Sequence, residues 1–246
     1  MSETLPFAYL RPLADPDHLP AQAVQAMNSA DLILLPRKGD AKSDLIDLRR
    51  AICARVLTGP TRIVAFDMPV RAAGGDYAHA VDDWHDAIAA AWRAQIVALD
   101  WGDPALYDSS LRIAERLRAS GLPRRVRVVP GLTSLQLLTA AHAIPLNALA
   151  GAVTITTGRL LRACGWPKAA DTVVVMLDSG CAFEVLEPEG ISIWWGAYVG
   201  MPQETLIHGP LATVAPRIAA ARANLRARPA RLLDVCLLRK NRADVA

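Results

Sequence analysis

The sequence predicts a two-domain α/β protein, with a mainly parallel five-stranded sheet in the first half and a mixed sheet in the second. Short apolar runs alternate with amphipathic stretches as far as about residue 145, and the strand-like runs then follow one another more closely. At 246 residues, with 52% hydrophobic and 21% charged side chains, the chain is long and apolar enough to bury two cores. The change of pattern falls near Ile144-Pro145, giving domains of residues 1–144 and 145–246.

LPFAYL (5–10) reads as a weak strand, interrupted by Pro6. A helix follows over 20–29, with Pro20 at its start, where the missing N–H costs no hydrogen bond. DLILLP (31–36) is a continuous apolar run, as expected of a parallel strand covered on both faces. SDLIDLRRAICARVL (43–57) spaces its apolar residues three and four apart, begins with the N-cap residue Ser43, and is stopped by Gly59-Pro60. TRIVAF (61–66) is the third strand. The alanine-rich helix 76–94 then runs almost directly into QIVALDW (95–101), the fourth. A helix over 109–119 and the strand RVRVV (125–129) complete this half. In the second half AVTITT (152–157), DTVVVML (171–177), ISIWWG (191–196), QETLI (203–207) and ARLLDVCLL (230–238) read as strands with fewer helices between them.

The net charge is +3, and nearly all the positive charge is arginine, lysine occurring only at Lys38, Lys42, Lys168 and Lys240. Arginine's planar fork of donors suits carboxylates and phosphates, although on composition alone a general bias toward arginine is the stronger explanation of the excess. No basic run with interleaved aromatics points to nucleic acid. Cys53, Cys164, Cys181 and Cys236 are scattered, without a C-x-x-C pair or a histidine at ligand spacing, so neither a disulfide framework nor a metal site is expected. Free thiols fit a reducing, cytoplasmic setting. The first twenty residues do not read as a secretory signal, and no apolar run reaches membrane-spanning length.

No glycine-rich nucleotide fingerprint is present. The sharpest segment is WGDPALYDSSLRI (101–113), which follows the fourth strand and opens a helix. Ligands of open α/β sheets bind outside the carboxyl ends of strands, which is where this loop lies. Gly102 permits close backbone approach and Asp103 accepts hydrogen bonds, while an ordinary Gly-Asp-Pro turn fits the same residues. VVPGLTSLQLL (128–138) repeats the arrangement, with Thr133 and Ser134 at a helix N-terminus that offers N–H groups to an acceptor or is simply capped. Met176 stands at a strand end, a common place for core filler. Trp194 and Trp195 read as core, and His85, beside Asp82 and Asp83, as part of a solvated polar face.

KSDLIDLRR (42–50), YAHAVDDWH (77–85), WGDPALYDSSLRI, VVPGLTS, ITTGR (155–159), VVVMLDS (173–179), WWGAYVGMPQETLIHGPL (194–211) and DVCLLRK (234–240) together resemble the tetrapyrrole methylases, which methylate uroporphyrinogen and corrin precursors. They run in family order and cover most of the chain after residue 30. The resemblance implies a homodimeric two-domain enzyme that binds S-adenosylmethionine in an inter-domain cleft and releases S-adenosylhomocysteine. It carries cofactor contact over to Trp101, Gly102, Asp103, Leu106, Thr133, Ser134 and Met176, and to the backbone of Ala197, Tyr198, Val199 and Met201. Asp103 and Tyr107 fall nearest the reacting centre. Arg37, Lys38, Arg71 and Arg159 would grip the carboxylates of a tetrapyrrole. Within the family the motifs fit the deacetylating branch of cobalamin synthesis, which methylates precorrin-5 at C-1 and releases acetate. Methylation at another ring position, or binding of a corrinoid or the cofactor without turnover, would share most of these residues. The chain departs from the family in LRPLADPDHL (10–19), which lacks the glycines of the usual G-x-G-x-G-D-P loop, and in Arg37-Lys38-Gly39, which stands where Asp-Lys-Gly is usual.

Overall fold

The computed structural model describes residues 7–9, 16–37, 43–67, 69, 77–95, 106, 107, 109–119, 126–227 and 232–241. The chain divides into two compact units, Met1–Leu132 and Thr133–Ala246.

The first unit contains strands β1 (Phe7–Tyr9), β2 (Leu32–Arg37), β3 (Arg62–Asp67) and β4 (Val126–Val128), with helices α1 (Ala21–Asn28), α2 (Ser43–Val56), α3 (Tyr77–Gln95) and α4 (Ser110–Ala119). Both strand pairings among the described residues are parallel, β1 with β4 and β2 with β3. Of the five strands expected, QIVALDW lies outside the described residues beyond Gln95, where α3 ends. Strand β2 shows why its sequence is apolar without alternation. Ile33 and Leu35 pack with Ala23, Met27, Ile52 and Cys53, whereas Leu32 and Leu34 pack with Ile88, Ala89, Ile113 and Ala114. Successive strand residues point to opposite faces, so a strand with helices on both faces must be apolar throughout.

His85 corrects the expectation of a solvated face. It is 1% exposed, on the side of α3 that meets α4, and its Nδ1 lies 3.2 Å from Nη1 of Arg116. Arg116 also donates to Asp82 at 2.6 Å and to Asp86 at 2.8 Å, so the acidic residues hold the arginine while the imidazole is covered. Burial, with the Arg116 and Arg112 cations beside it, pushes the His85 pKa below the usual histidine range. Because Arg116 can only donate, Nδ1 is the acceptor and the neutral ring carries its proton on Nε2.

The second unit begins with helix α5 (Ser134–Ala141), then β5 (Val153–Thr157), α6 (Gly158–Cys164), β6 (Thr172–Met176), β7 (Ile191–Ala197), β8 (Thr205–Pro210), α7 (Leu211–Arg226) and β9 (Asp234–Lys240). Its strands form one mixed sheet in the order β5-β6-β9-β7-β8. The division after Leu132 falls earlier than the change of pattern at Ile144-Pro145, because α5 packs on this sheet. Leu138 stands against Gly196, and His142 bonds the Trp195 carbonyl at 3.1 Å. Leu211, Val214, Ile218 and Leu225 on one side of α7 join Val173, Val175, Ile193, Trp195 and Leu238 in the core.

Candidate functional site

Strand directions bring several of the expected residues of the second unit to one sheet edge. β5 and β6 are parallel, and β6 and β7 both run antiparallel to β9. The carboxyl ends of β5, β6 and β7 therefore lie at the same edge: Thr157 and Arg159, then Met176 and Leu177, then Ala197 and Tyr198. Register agrees, with Thr157 opposite Met176 and Ala197 opposite Asp234. Helix α5 passes Ala197's neighbour Gly196 at Leu138 and Trp195 at His142, so it packs on the end of β7.

Two residues at the edge hold backbone conformations that L-amino acids rarely adopt. Leu177 has φ 52° and Tyr198 has φ 52°, and neither is glycine. Such strain costs of order 1–3 kcal/mol per residue and persists only where the surroundings enforce it, which is common at ligand sites. Leu177 is 56% exposed, an apolar side chain presented to solvent directly after Met176. Ala197, Tyr198 and Val199 are buried, so their side chains belong to the core of the second unit. Gly196 is required here, since an added Cβ would stand 2.5 Å from Val199 Cγ1 and 2.8 Å from Leu138 Cδ1.

The turn after β6 is fixed by Asp178. Its carboxylate accepts from Arg162 Nη1 at 2.6 Å, Gly180 N at 3.0 Å, Ala182 N at 2.8 Å and Arg222 Nη1 at 3.4 Å. Gly158 lets the carboxylate come this close, because a Cβ there would lie 2.1 Å from Asp178 Oδ1. The glycine of ITTGR and the aspartate of MLDS are thus two halves of one contact. No motif in the sequence singles out Asp178 or Arg222. The available signal was a charge on an apolar stripe, since Arg222 continues the buried series Leu211, Val214, Ile218 and Leu225 of α7.

Thr133 is a helix cap. Its hydroxyl accepts from Gln136 N at 3.4 Å, and Gln136 Oε1 accepts from Thr133 N at 2.6 Å, so this reciprocal pair occupies two donors of the helix start. In the first unit Leu106 is partly buried, and Tyr107, 45% exposed, has φ 50°. Arg37, the last residue of β2, meets Asp67, the last of β3, through Nε–Oδ1 and Nη2–Oδ2 bonds of 2.5 and 2.7 Å. Asp67 is held below the usual carboxylate range by the Arg37 hydrogen bond. Arg37 therefore points its fork at a carboxylate of its own chain. Trp101, Gly102, Asp103, Lys38, Arg71 and the loop Leu10–Ala14 lie outside the described residues.

Among the described residues no group of three or more His, Cys, Asp or Glu is placed to hold a metal ion, and no helix is long and apolar enough to cross a membrane.

Residues 12–215 match the family model of Tetrapyrrole (Corrin/Porphyrin) Methylases. The chain is 44% identical over 239 residues to a precorrin-6A synthase [deacetylating] from a Sinorhizobium species, covering 92% of this chain and 91% of that protein. The crystal structure of a cobalamin synthesis related protein (CobF) from Corynebacterium diphtheriae superposes with a TM-score of 0.81 at 33% identity, covering 96% of this chain and 99% of that one. A uroporphyrin-III C-methyl transferase from Thermus thermophilus, solved with S-adenyl homocysteine, shares the fold at 19% identity and a TM-score of 0.54, covering 94% and 91% of the two chains.

Proposed function

We propose that this chain, which belongs to the tetrapyrrole (corrin/porphyrin) methylase family, transfers a methyl group from S-adenosylmethionine to C-1 of precorrin-5 and releases acetate, giving precorrin-6A. The observation that carries this reading is the 44% identity to the precorrin-6A synthase, which runs through 92% of this chain and 91% of that protein. The arrangement at the carboxyl ends of β5, β6 and β7 supports it. An exposed leucine follows a methionine at the end of β6 and offers apolar surface for an adenine, and the segment Ala197–Met201 follows β7 at the same end of the sheet.

In this reading Trp101, Gly102, Asp103, Leu106, Thr133, Ser134, Met176 and the backbone of Ala197, Tyr198, Val199 and Met201 hold S-adenosylmethionine. That molecule supplies a methyl group already activated on a sulfonium. What remains for the protein is to align the acceptor carbon with it and exclude water. Loss of the acetyl group consumes one water and needs acid–base assistance, for which Asp103 and Tyr107 are the proposed groups. Arg37, Lys38, Arg71 and Arg159 bind the substrate's carboxylates. The pair of Arg37 with Asp67 is exposed and screened by solvent, so a substrate carboxylate can compete for the guanidinium. The protein works as a cytoplasmic homodimer.

Incubation with methyl-labelled S-adenosylmethionine and precorrin-5, followed by mass spectrometry, tests the function. The expected product carries one labelled methyl and lacks the acetyl group, with acetate in equal amount. A labelled product that keeps its acetyl group would move the reaction to another ring position, and no labelled product would refute catalysis on this substrate.

A further inference from the structure

Arg222 is 2% exposed in the second unit, and its guanidinium bonds Asp178, in the turn after Leu177, and Asp234 of β9. On one side Nη2 donates to the Asp178 carbonyl at 2.9 Å and Nη1 to its carboxylate at 3.4 Å, immediately after Leu177. On the other, Nε lies 2.7 Å from Asp234 Oδ2, and Nη2 donates to Asp234 Oδ1 at 3.4 Å. Asp234 stands opposite Ala197 in the sheet and accepts from Trp195 Nε1 at 3.0 Å, while Tyr198 N donates to the adjacent Leu233 carbonyl at 2.8 Å. A cation buried this deeply is tolerated only when its charge is met by a counter-charge. Burial opposes the charged form, but Asp234, the Cys181 sulfur and Asp178 together push the Arg222 pKa above the usual arginine value. The ends of β6 and β7 are separated in the sheet by β9, and this guanidinium ties the turn after β6 to Asp234 of β9, the residue that pairs with Ala197 of β7.

We propose that Arg222 is a positioning residue for the S-adenosylmethionine site. It does not touch the cofactor, but holds Met176–Leu177 and Ala197–Tyr198 in the conformations that do. The inference rests on the reading above that this edge takes the cofactor. Supporting residues of this kind change affinity or activity on the scale of roughly 10- to 100-fold when removed.

Calorimetric titration of the full-length protein with S-adenosylhomocysteine, on wild type and Arg222→Met, separates the possibilities through stoichiometry and Kd. A merely structural loss lowers the number of sites per chain and leaves the Kd of the remaining folded molecules unchanged. Loss of positioning raises Kd by at least about tenfold at one site per chain. Arg239→Met is the control. This second cation of the sheet packs over Trp194 and bonds Thr172 and the Pro145 carbonyl, away from the edge, and its removal leaves Kd unchanged. Should Arg222→Met not fold, Asp234→Asn keeps the shape and the acceptor for Trp195 while removing the ion pair, and raises Kd in the same direction. An unchanged Kd in a folded Arg222→Met protein, or in Asp234→Asn where the first does not fold, overturns the inference. Wild-type protein that binds no S-adenosylhomocysteine refutes the cofactor reading itself, a separate result.

Discussion

Gly158→Ala is expected to destabilise the second unit by about 3 kcal/mol or more, a large effect for one methyl group. The new Cβ would meet Asp178 Oδ1 at 2.1 Å, Cγ at 2.5 Å and Cβ at 2.8 Å. The aspartate cannot swing aside cheaply, because Arg162, Arg222 and the N–H groups of Gly180 and Ala182 all bond its carboxylate. Moving it leaves Arg222 buried without one of its two counter-charges. Removing one partner of a buried ion pair costs about 3–5 kcal/mol, while ordinary overpacking costs about 1–3. Urea unfolding checks this through the midpoint at constant slope. A loss below about 1 kcal/mol would mean that the carboxylate has another satisfied position.

Gly196→Ala is expected to act on ligand affinity as much as on stability. Its Cβ would press on Val199 Cγ1 at 2.5 Å, Leu138 Cδ1 at 2.8 Å and Leu206 Cδ2 at 3.2 Å. Leucine tips can give way, at an overpacking cost of about 1–3 kcal/mol. Val199 is different, since it lies in the turn that follows Tyr198 and moving it moves the main chain proposed to hold the cofactor. Affinity for S-adenosylhomocysteine should fall about tenfold for each 1.4 kcal/mol of binding energy lost there. Destabilisation with unchanged affinity would show that Ala197–Met201 does not meet the ligand.

Elements with strong local patterns were legible in the sequence. DLILLP could be read as a buried strand because a strand covered on both faces must be apolar throughout, and the structure places its residues in two cores. Helix α6 was missed because its seven residues are too few to show a period and it starts directly at the end of β5. Helix α7 is hidden by Pro216 in its interior, a residue that normally ends a helix, and by Arg222, which puts a charge on its buried face. Nothing local indicates that Arg222 is paired, since Asp178 lies 44 positions away and Asp234 lies 12. The burial of His85 is hidden for a related reason. Asp82 and Asp83 suggest a wet face, but Arg116 comes from another helix, and only packing shows which side of α3 it covers. The candidate site was legible chiefly through its motifs, whereas the contact that gives ITTGR its glycine needed three dimensions.

The most direct test of the central claim is a crystal structure of the protein with S-adenosylhomocysteine bound. The ligand is expected against Met176 and Leu177 and along the backbone of Ala197–Met201, with Leu177 and Tyr198 keeping positive φ and Arg222 still joined to Asp178 and Asp234. A ligand ordered elsewhere on the protein, with the ends of β5, β6 and β7 bare, would contradict the account.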